Sequence, residues 1–142
     1  MKLSTRTRYG IRAILEIAEN YGKGPLQTKV IAERQEISVK YLEQLMALLK
    51  SARFIRSIRG SKGGYILARE PQEIKISDVF GALEGSSIIT VECLGSDNFC
   101  ARAADCTARQ LWAEVQNAVM AVLESKTLQD LLDKTKTKRE SF

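Results

Sequence analysis

The sequence predicts a mainly α fold with a small β-hairpin: a winged helix-turn-helix followed by a long C-terminal dimerisation helix. Three observations carry this. Two helical segments are joined by a turn of only three residues, Glu36, Ile37 and Ser38. A hairpin pattern with a glycine-rich, basic tip comes directly after them. A long helical pattern near the C-terminus then shows an apolar face broader than a small domain can easily cover.

The first helix is read from Thr5 to Asn20, where Ile11, Ile14, Leu15, Ile17 and Ala18 recur at helical spacing until Gly22, Gly24 and Pro25 break the pattern. A second, short helix fits Thr28 to Gln35, with Val30, Ile31 and Ala32 on its buried face. The third starts where Ser38 can cap free amides and Ile37 can pack against Leu42 as a hydrophobic staple. Its faces separate by spacing: Leu42, Leu45, Met46 and Leu49 fall on one side, and Lys40, Glu43, Gln44 and Ala47 on another. One stripe packs while the other faces outward, which is the outline of a helix-turn-helix.

Phe54 to Arg59 and Tyr65 to Arg69 are rich in branched and aromatic residues, with Gly60-Ser61-Lys62-Gly63-Gly64 between them, so a hairpin with a flexible basic tip is expected. A phosphate-binding loop is excluded, because no Gly-Lys-Ser/Thr follows and the next element is a strand. Ser77-Asp78 can cap a short helix that runs to Gly85. From about Thr107, Leu111, Val115, Ala118 and Val122 form one stripe flanked by Trp112, Val119 and Leu123, and a two-fold dimer interface is the reading preferred over intramolecular packing. Leu128, Leu131 and Leu132 make a last short helix, and the polar, charged end of the chain is expected to be a disordered tail. The boundaries expected are a DNA-binding domain at 1–85, a cysteine loop at 86–106, the dimerisation and terminal helices at 107–134, and the tail at 135–142.

With 142 residues the chain suits one core with an appendage. Lysine and arginine outnumber aspartate and glutamate by 22 to 17, giving a formal charge of +5, a mild bias toward a polyanionic partner. No apolar run approaches the roughly 20 residues of a membrane span, and no secretory h-region is visible, so a cytoplasmic protein without membrane association is expected. The chain has no histidine, paired-carboxylate motif or nucleophile motif, and no enzyme is read from it.

All three cysteines, Cys93, Cys100 and Cys106, lie in one fourteen-residue window. An odd number of thiols argues against a disulfide framework. The residues alone leave several readings open. Buried small hydrophobes fit poorly with the polar neighbours Gly95, Ser96, Asp97 and Asp105. Zinc wants four ligands at tighter, paired spacing. Thiol redox sensing and an iron-sulfur cluster both suit thiols on a longer loop, the cluster better.

Three runs resemble a known family: Met1-Lys2-Leu3-Ser4-Thr5 with Arg8-Tyr9-Gly10, Tyr41-Leu42-Glu43-Gln44-Leu45, and Ser57-Ile58-Arg59-Gly60 through Gly63-Gly64-Tyr65. Together they are similar to the IscR/NsrR/CymR family of bacterial winged-helix repressors, over nearly the whole chain. The resemblance implies a homodimer on a pseudo-palindromic operator. In many members it also implies an iron-sulfur cluster of 2Fe-2S or 4Fe-4S type in a loop before the dimerisation helix, here held by Cys93, Cys100 and Cys106. The fourth ligand departs from the family. The IscR branch has a histidine three residues after the last cysteine, where this chain has Arg109, and the nitric-oxide-sensing branch has an N-terminal aspartate, where this chain has Arg8. Glu92, Asp97, Asp105, a group from the partner subunit, or solvent are the alternatives. CymR-type relatives lack the cysteines and respond through a partner enzyme, so a protein partner is the rival implication.

For DNA, Arg59 and Lys62 with Gly60 and Ser61 at the wing tip, and Lys40 on the third helix, are expected on phosphates, whereas Arg6 and Lys29 are better read as solvated charges. Arg59 is suited to a narrow minor groove. Lys40, Glu43 and Gln44, with Ser38 and Val39 at the leading end of the helix, are expected at base edges: glutamate accepts from cytosine N4 and glutamine pairs with adenine.

Overall fold

The computed structural model describes residues 2–85, 91–95 and 100–141. Its elements run α1 (Thr5–Glu19), α2 (Thr28–Gln35), α3 (Val39–Ser51), β1 (Ile55–Ile58), β2 (Gly64–Leu67), α4 (Ile76–Glu84), α5 (Thr107–Glu124) and α6 (Leu128–Glu140). Single 3-10 turns cover Pro71–Glu73 and Glu92–Leu94.

The side chain of Ser4 caps α1 by accepting from the Thr7 amide at 3.1 Å. The buried face of α1 is centred on Thr7, Gly10, Ala13, Ile14, Ile17 and Ala18, while Ile11 and Leu15 are only half-buried. That rotation from the apolar pattern follows from α4, whose Leu83 lies directly against Gly10. Glu16 on α1 then fastens α2, accepting from Gln35 Nε2 at 2.8 Å and from the Arg34 guanidinium at 3.1 Å.

The strands pair antiparallel, with Ile55 opposite Leu67 and Ile58 opposite Gly64. The hairpin does not stand free. Leu26, just before α2, exchanges both backbone hydrogen bonds with Tyr65 at 2.9 Å, so a single extra bridge extends the sheet. Gly64 makes this possible, because a Cβ there would stand 2.4 Å from the Leu26 carbonyl oxygen and its φ is +147°.

One core gathers α1, α2, α3, the base of the hairpin, α4 and α6, with Ile14, Ile31, Leu42, Met46, Leu49, Val79 and Leu128 all fully buried. The start of α4 differs from expectation. Ser77-Asp78 does not cap it; the N-cap is Lys75, without a side-chain bond, and Ser77 is buried within the helix. The shift has a backbone cause: the Ile76 amide donates to the Lys126 carbonyl at 2.9 Å, and the Leu128 amide to the Ile74 carbonyl at 3.0 Å, which fixes the chain there as a bridge. Gly85 ends the helix as expected, at φ +70°.

The disordered tail expected at 135–142 is also corrected, since α6 continues to Glu140. Thr127 and Asp130 form a reciprocal capping box at its start. Leu128 and Leu132 are buried in the common core, Lys138 and Arg139 complement the C-terminal end of the helix dipole, and Arg139 pairs with Glu19 on α1. None of the described helices is long and apolar enough to cross a membrane.

Candidate nucleic-acid interface and cysteine segment

The second helix of the helix-turn-helix is built as its spacing implies. Ser38 Oγ accepts from the Tyr41 amide at 3.1 Å and so caps α3. Glu36 ends α2 in the left-handed conformation, φ 55°, and Ile37 packs on the core. Leu42, Leu45, Met46 and Leu49 are all buried to within 1%. Their burial leaves Ser38, Val39, Lys40, Glu43, Gln44 and Ala47 exposed on the other side. Lys40, Glu43 and Gln44 are exposed, and among the described residues no ion pair engages Lys40 or Glu43.

The wing tip is exposed at Arg59, Gly60, Ser61 and Lys62, and the Gly63 amide donates to the Gly60 carbonyl at 3.0 Å to close the turn. The tip is not the free, flexible loop its glycines suggest. Gln27 Nε2 donates to the Ser61 carbonyl at 3.3 Å, and Gly63 is buried, with the Ile58 carbonyl oxygen only 2.1 Å from where a Cβ would be. The sequence reading missed Gln27. It also missed Tyr9, whose ring meets Tyr41 edge-on at 6.2 Å while the Arg12 guanidinium sits 5.2 Å above it, bracing the leading turn of α3 against α1. An aromatic at each of these positions was visible in the sequence, but no local signal pairs residues 32 positions apart.

α5 contributes no buried residue. Leu111 is 51% exposed, Val115 39%, Val122 60% and Trp112 40%, and Ala118 between them is exposed as well. Four aligned positions at i, i+4, i+7 and i+11 form a bare apolar stripe along the helix.

The three thiols are free: Cys93 is half-buried in the turn Glu92–Leu94, Cys100 is exposed, and Cys106 is half-buried at the N-cap of α5. Arg8 is exposed on α1. Arg109, in the first turn of α5, reaches back into the segment: its Nε donates to the Cys93 carbonyl at 3.1 Å and an Nη to the Ala103 carbonyl at 3.4 Å. Asp97 lies outside the described residues. The donor chemistry, three soft thiols, fits an iron-sulfur cluster. The arrangement is open: among the described residues no three cysteines or carboxylates come together closely enough to hold a metal ion.

A capped, one-side-buried second helix beside a fastened basic hairpin defines a winged-helix DNA reader. The pattern of the Rrf2 family, described as an iron-dependent transcriptional regulator, matches residues 3–134, and the chain belongs to that family. It is 39% identical to the HTH-type transcriptional regulator CymR of Bacillus subtilis over 142 residues, covering 100% of this chain and 97% of the relative. It is 44% identical to the protein rrf2 of Nitratidesulfovibrio vulgaris, over 93% of this chain and 87% of that one. Among solved structures, CymR, the global cysteine regulator of B. subtilis, superposes with a TM-score of 0.80 at 40% identity, covering 94% of this chain and 98% of that chain. T. potens IscR superposes with a TM-score of 0.78 at 39% identity, covering 95% and 88%. The CymR and IscR relatives are named as transcriptional regulators.

Proposed function

We propose that this chain is a non-enzymatic, cytoplasmic repressor that reads a pseudo-palindromic DNA site as a homodimer. The observation that carries this is the exposed stripe of α3 standing beside a wing whose tip is tied to the same body through Gln27 and Ser61. Ser38, Val39, Lys40, Glu43 and Gln44 meet base edges, Arg59, Gly60, Ser61 and Lys62 follow the sugar-phosphate backbone, and Leu111, Val115, Ala118 and Val122 pair the two protomers. The bare stripe of α5 supports the last assignment, because a helix with no buried residue needs a second surface. Selection from random duplexes followed by binding assays tests the reading; enrichment of an inverted repeat is expected, and binding without sequence preference overturns it.

In the same reading, Cys93, Cys100 and Cys106 hold an iron-sulfur cluster as the regulatory input. When bound, such a group supplies a reactive, ligand-exchanging iron. The protein side of the switch is an ordering of the cysteine segment that differs between the loaded and empty forms. Similarity to IscR supports it. A second reading, control by a partner protein or by thiol oxidation without a cluster, rests on the exposed thiol of Cys100. Anaerobic reconstitution with iron and sulfide, followed by absorption spectra and metal analysis, separates the two. Colourless, iron-free protein removes the cluster.

A further inference from the structure

We propose that Arg109 is the positioning residue of the cysteine segment: a clasp that holds both of its arms against α5 while no metal is bound. The inference builds on the reading of the cysteines as an input and assigns a role to the residue where the family's histidine is missing.

The clasp is visible in the hydrogen bonds. One guanidinium donates from two different nitrogens to two backbone carbonyls, Cys93 at 3.1 Å and Ala103 at 3.4 Å. These carbonyls belong to opposite arms of the segment, one before and one after the stretch containing Cys100. A planar guanidinium with N–H groups pointing in fixed directions can serve both at once, whereas a lysine ammonium offers a single flexible point of attachment. Among the described residues, the backbone bonds within the segment are short-range turns, such as the Ala103 amide to the Cys100 carbonyl at 3.1 Å and the Asp105 amide to the Arg102 carbonyl at 3.1 Å. Turns of that kind shape each arm but do not fix one arm against the other.

The clasp also decides where motion goes. Arg109 lies in the first turn of α5, two residues before Leu111 and three before Trp112, both of which are exposed on the apolar face. A change at Cys93 that moves its carbonyl therefore acts on the helix proposed to join the protomers. Cys106 joins α5 directly as its N-cap, and Arg109 adds a second link, from the Cys93 arm to the same helix.

The test uses the full-length, metal-free protein and the variants Arg109→Lys and Arg109→Gln. Two measurements are made: hydrogen exchange across residues 91–106, and the alkylation rate of each cysteine, read by mass spectrometry. The expected result for Arg109→Gln is exchange in the segment faster by about fivefold or more, with half-buried Cys93 alkylated several-fold faster and already exposed Cys100 little changed. Arg109→Lys should lie between, and the unfolding midpoint of the core should stay in place, as a general structural defect would not. Unchanged exchange and an unchanged order of thiol reactivity overturn the clasp. Because neither measurement involves a metal, reconstitution failing in the native protein removes the cluster but leaves the clasp standing. Reconstitution succeeding alongside unaltered variants does the reverse.

Discussion

A Cβ placed on Gly10 would stand 2.6 Å from both Cδ atoms of Leu83, so α1 and α4 touch where only a hydrogen fits. Leu83 is itself buried at 1% exposure, so making room means shifting its side chain within the packed core. Gly10→Ala sets two effects against each other. Helix propensity favours alanine by roughly 0.5–1 kcal/mol, while overpacking a closed contact costs about 1–3 kcal/mol. Net destabilisation is expected in urea denaturation; a variant as stable as the native protein or more so shows that the contact yields.

At the α3 stripe, Glu43→Ala should relax sequence preference. Loss of an acceptor to cytosine N4 lowers discrimination at its base pair by about 1–3 kcal/mol, and removing a negative charge near phosphates leaves non-specific binding equal or stronger. Competition binding with single-base operator variants measures this. An equal loss of affinity for every sequence would point to a structural role instead.

For the wing tip, salt dependence is the readout. A dimer that neutralises roughly six to ten phosphates gives a log-log slope of about −5 to −9, and Lys62→Ala should reduce its magnitude by about one for each protomer bound. Titration of binding against salt concentration checks both values, and a flat response counts against phosphate contact altogether.

On α5, Val122→Asp places a charge in the most exposed position of the apolar stripe. A single protomer should fold as before, with unchanged circular dichroism, but sedimentation should shift from dimer to monomer and binding to an inverted repeat should weaken sharply. Persistence of the dimer would move the interface elsewhere.

Glu84 accepts from the Ser4 amide at 3.0 Å, and this backbone hydrogen bond, helped by the hydroxyls of Ser4 and Thr7 and opposed by desolvation, holds its carboxyl below the ordinary glutamate value of 4.5. A lowered folded pKa contributes stability that is present above the unfolded value and is lost as pH falls through the folded one. The stability difference between the native protein and Glu84→Gln should therefore be largest at neutral pH and shrink below about pH 4.5. The carboxylate is largely solvated, so the effect is small, and a difference that grows on acidification contradicts it.

The α3 stripe was legible because one period governs both its sequence and its burial: Leu42, Leu45, Met46 and Leu49 are apolar for the same reason that Lys40, Glu43 and Gln44 are exposed. The hairpin and the bare α5 face were legible likewise, from alternation and from apolar excess. What escaped was set by distant partners. Five residues with three glycines read as a floppy tip, yet Gln27 holds Ser61 from 34 positions away and Leu26 bridges Tyr65 at the tip's end. Lys134 to Phe142 reads as solvated tail because charge dominates, yet a capping box upstream and Glu19 on α1 carry the helix to Glu140. At the cysteine segment, donor types were visible but not their arrangement, and the reach of Arg109 across 16 positions to a backbone carbonyl leaves no trace in composition.

The bridge between Leu26 and Tyr65 bears on how DNA is met. A hairpin moored only at its base arrives as a loose arm, and its ordering entropy is lost at the moment of association. Here two backbone bonds of 2.9 Å already hold the hairpin to the approach of α2, so that loss falls on folding instead. With helix and wing meeting the duplex as proposed, their spacing is set before any duplex arrives, and the protein would act as a fixed caliper: sites whose groove width departs from that spacing would have to deform, and the cost of deforming them would become part of what is recognised.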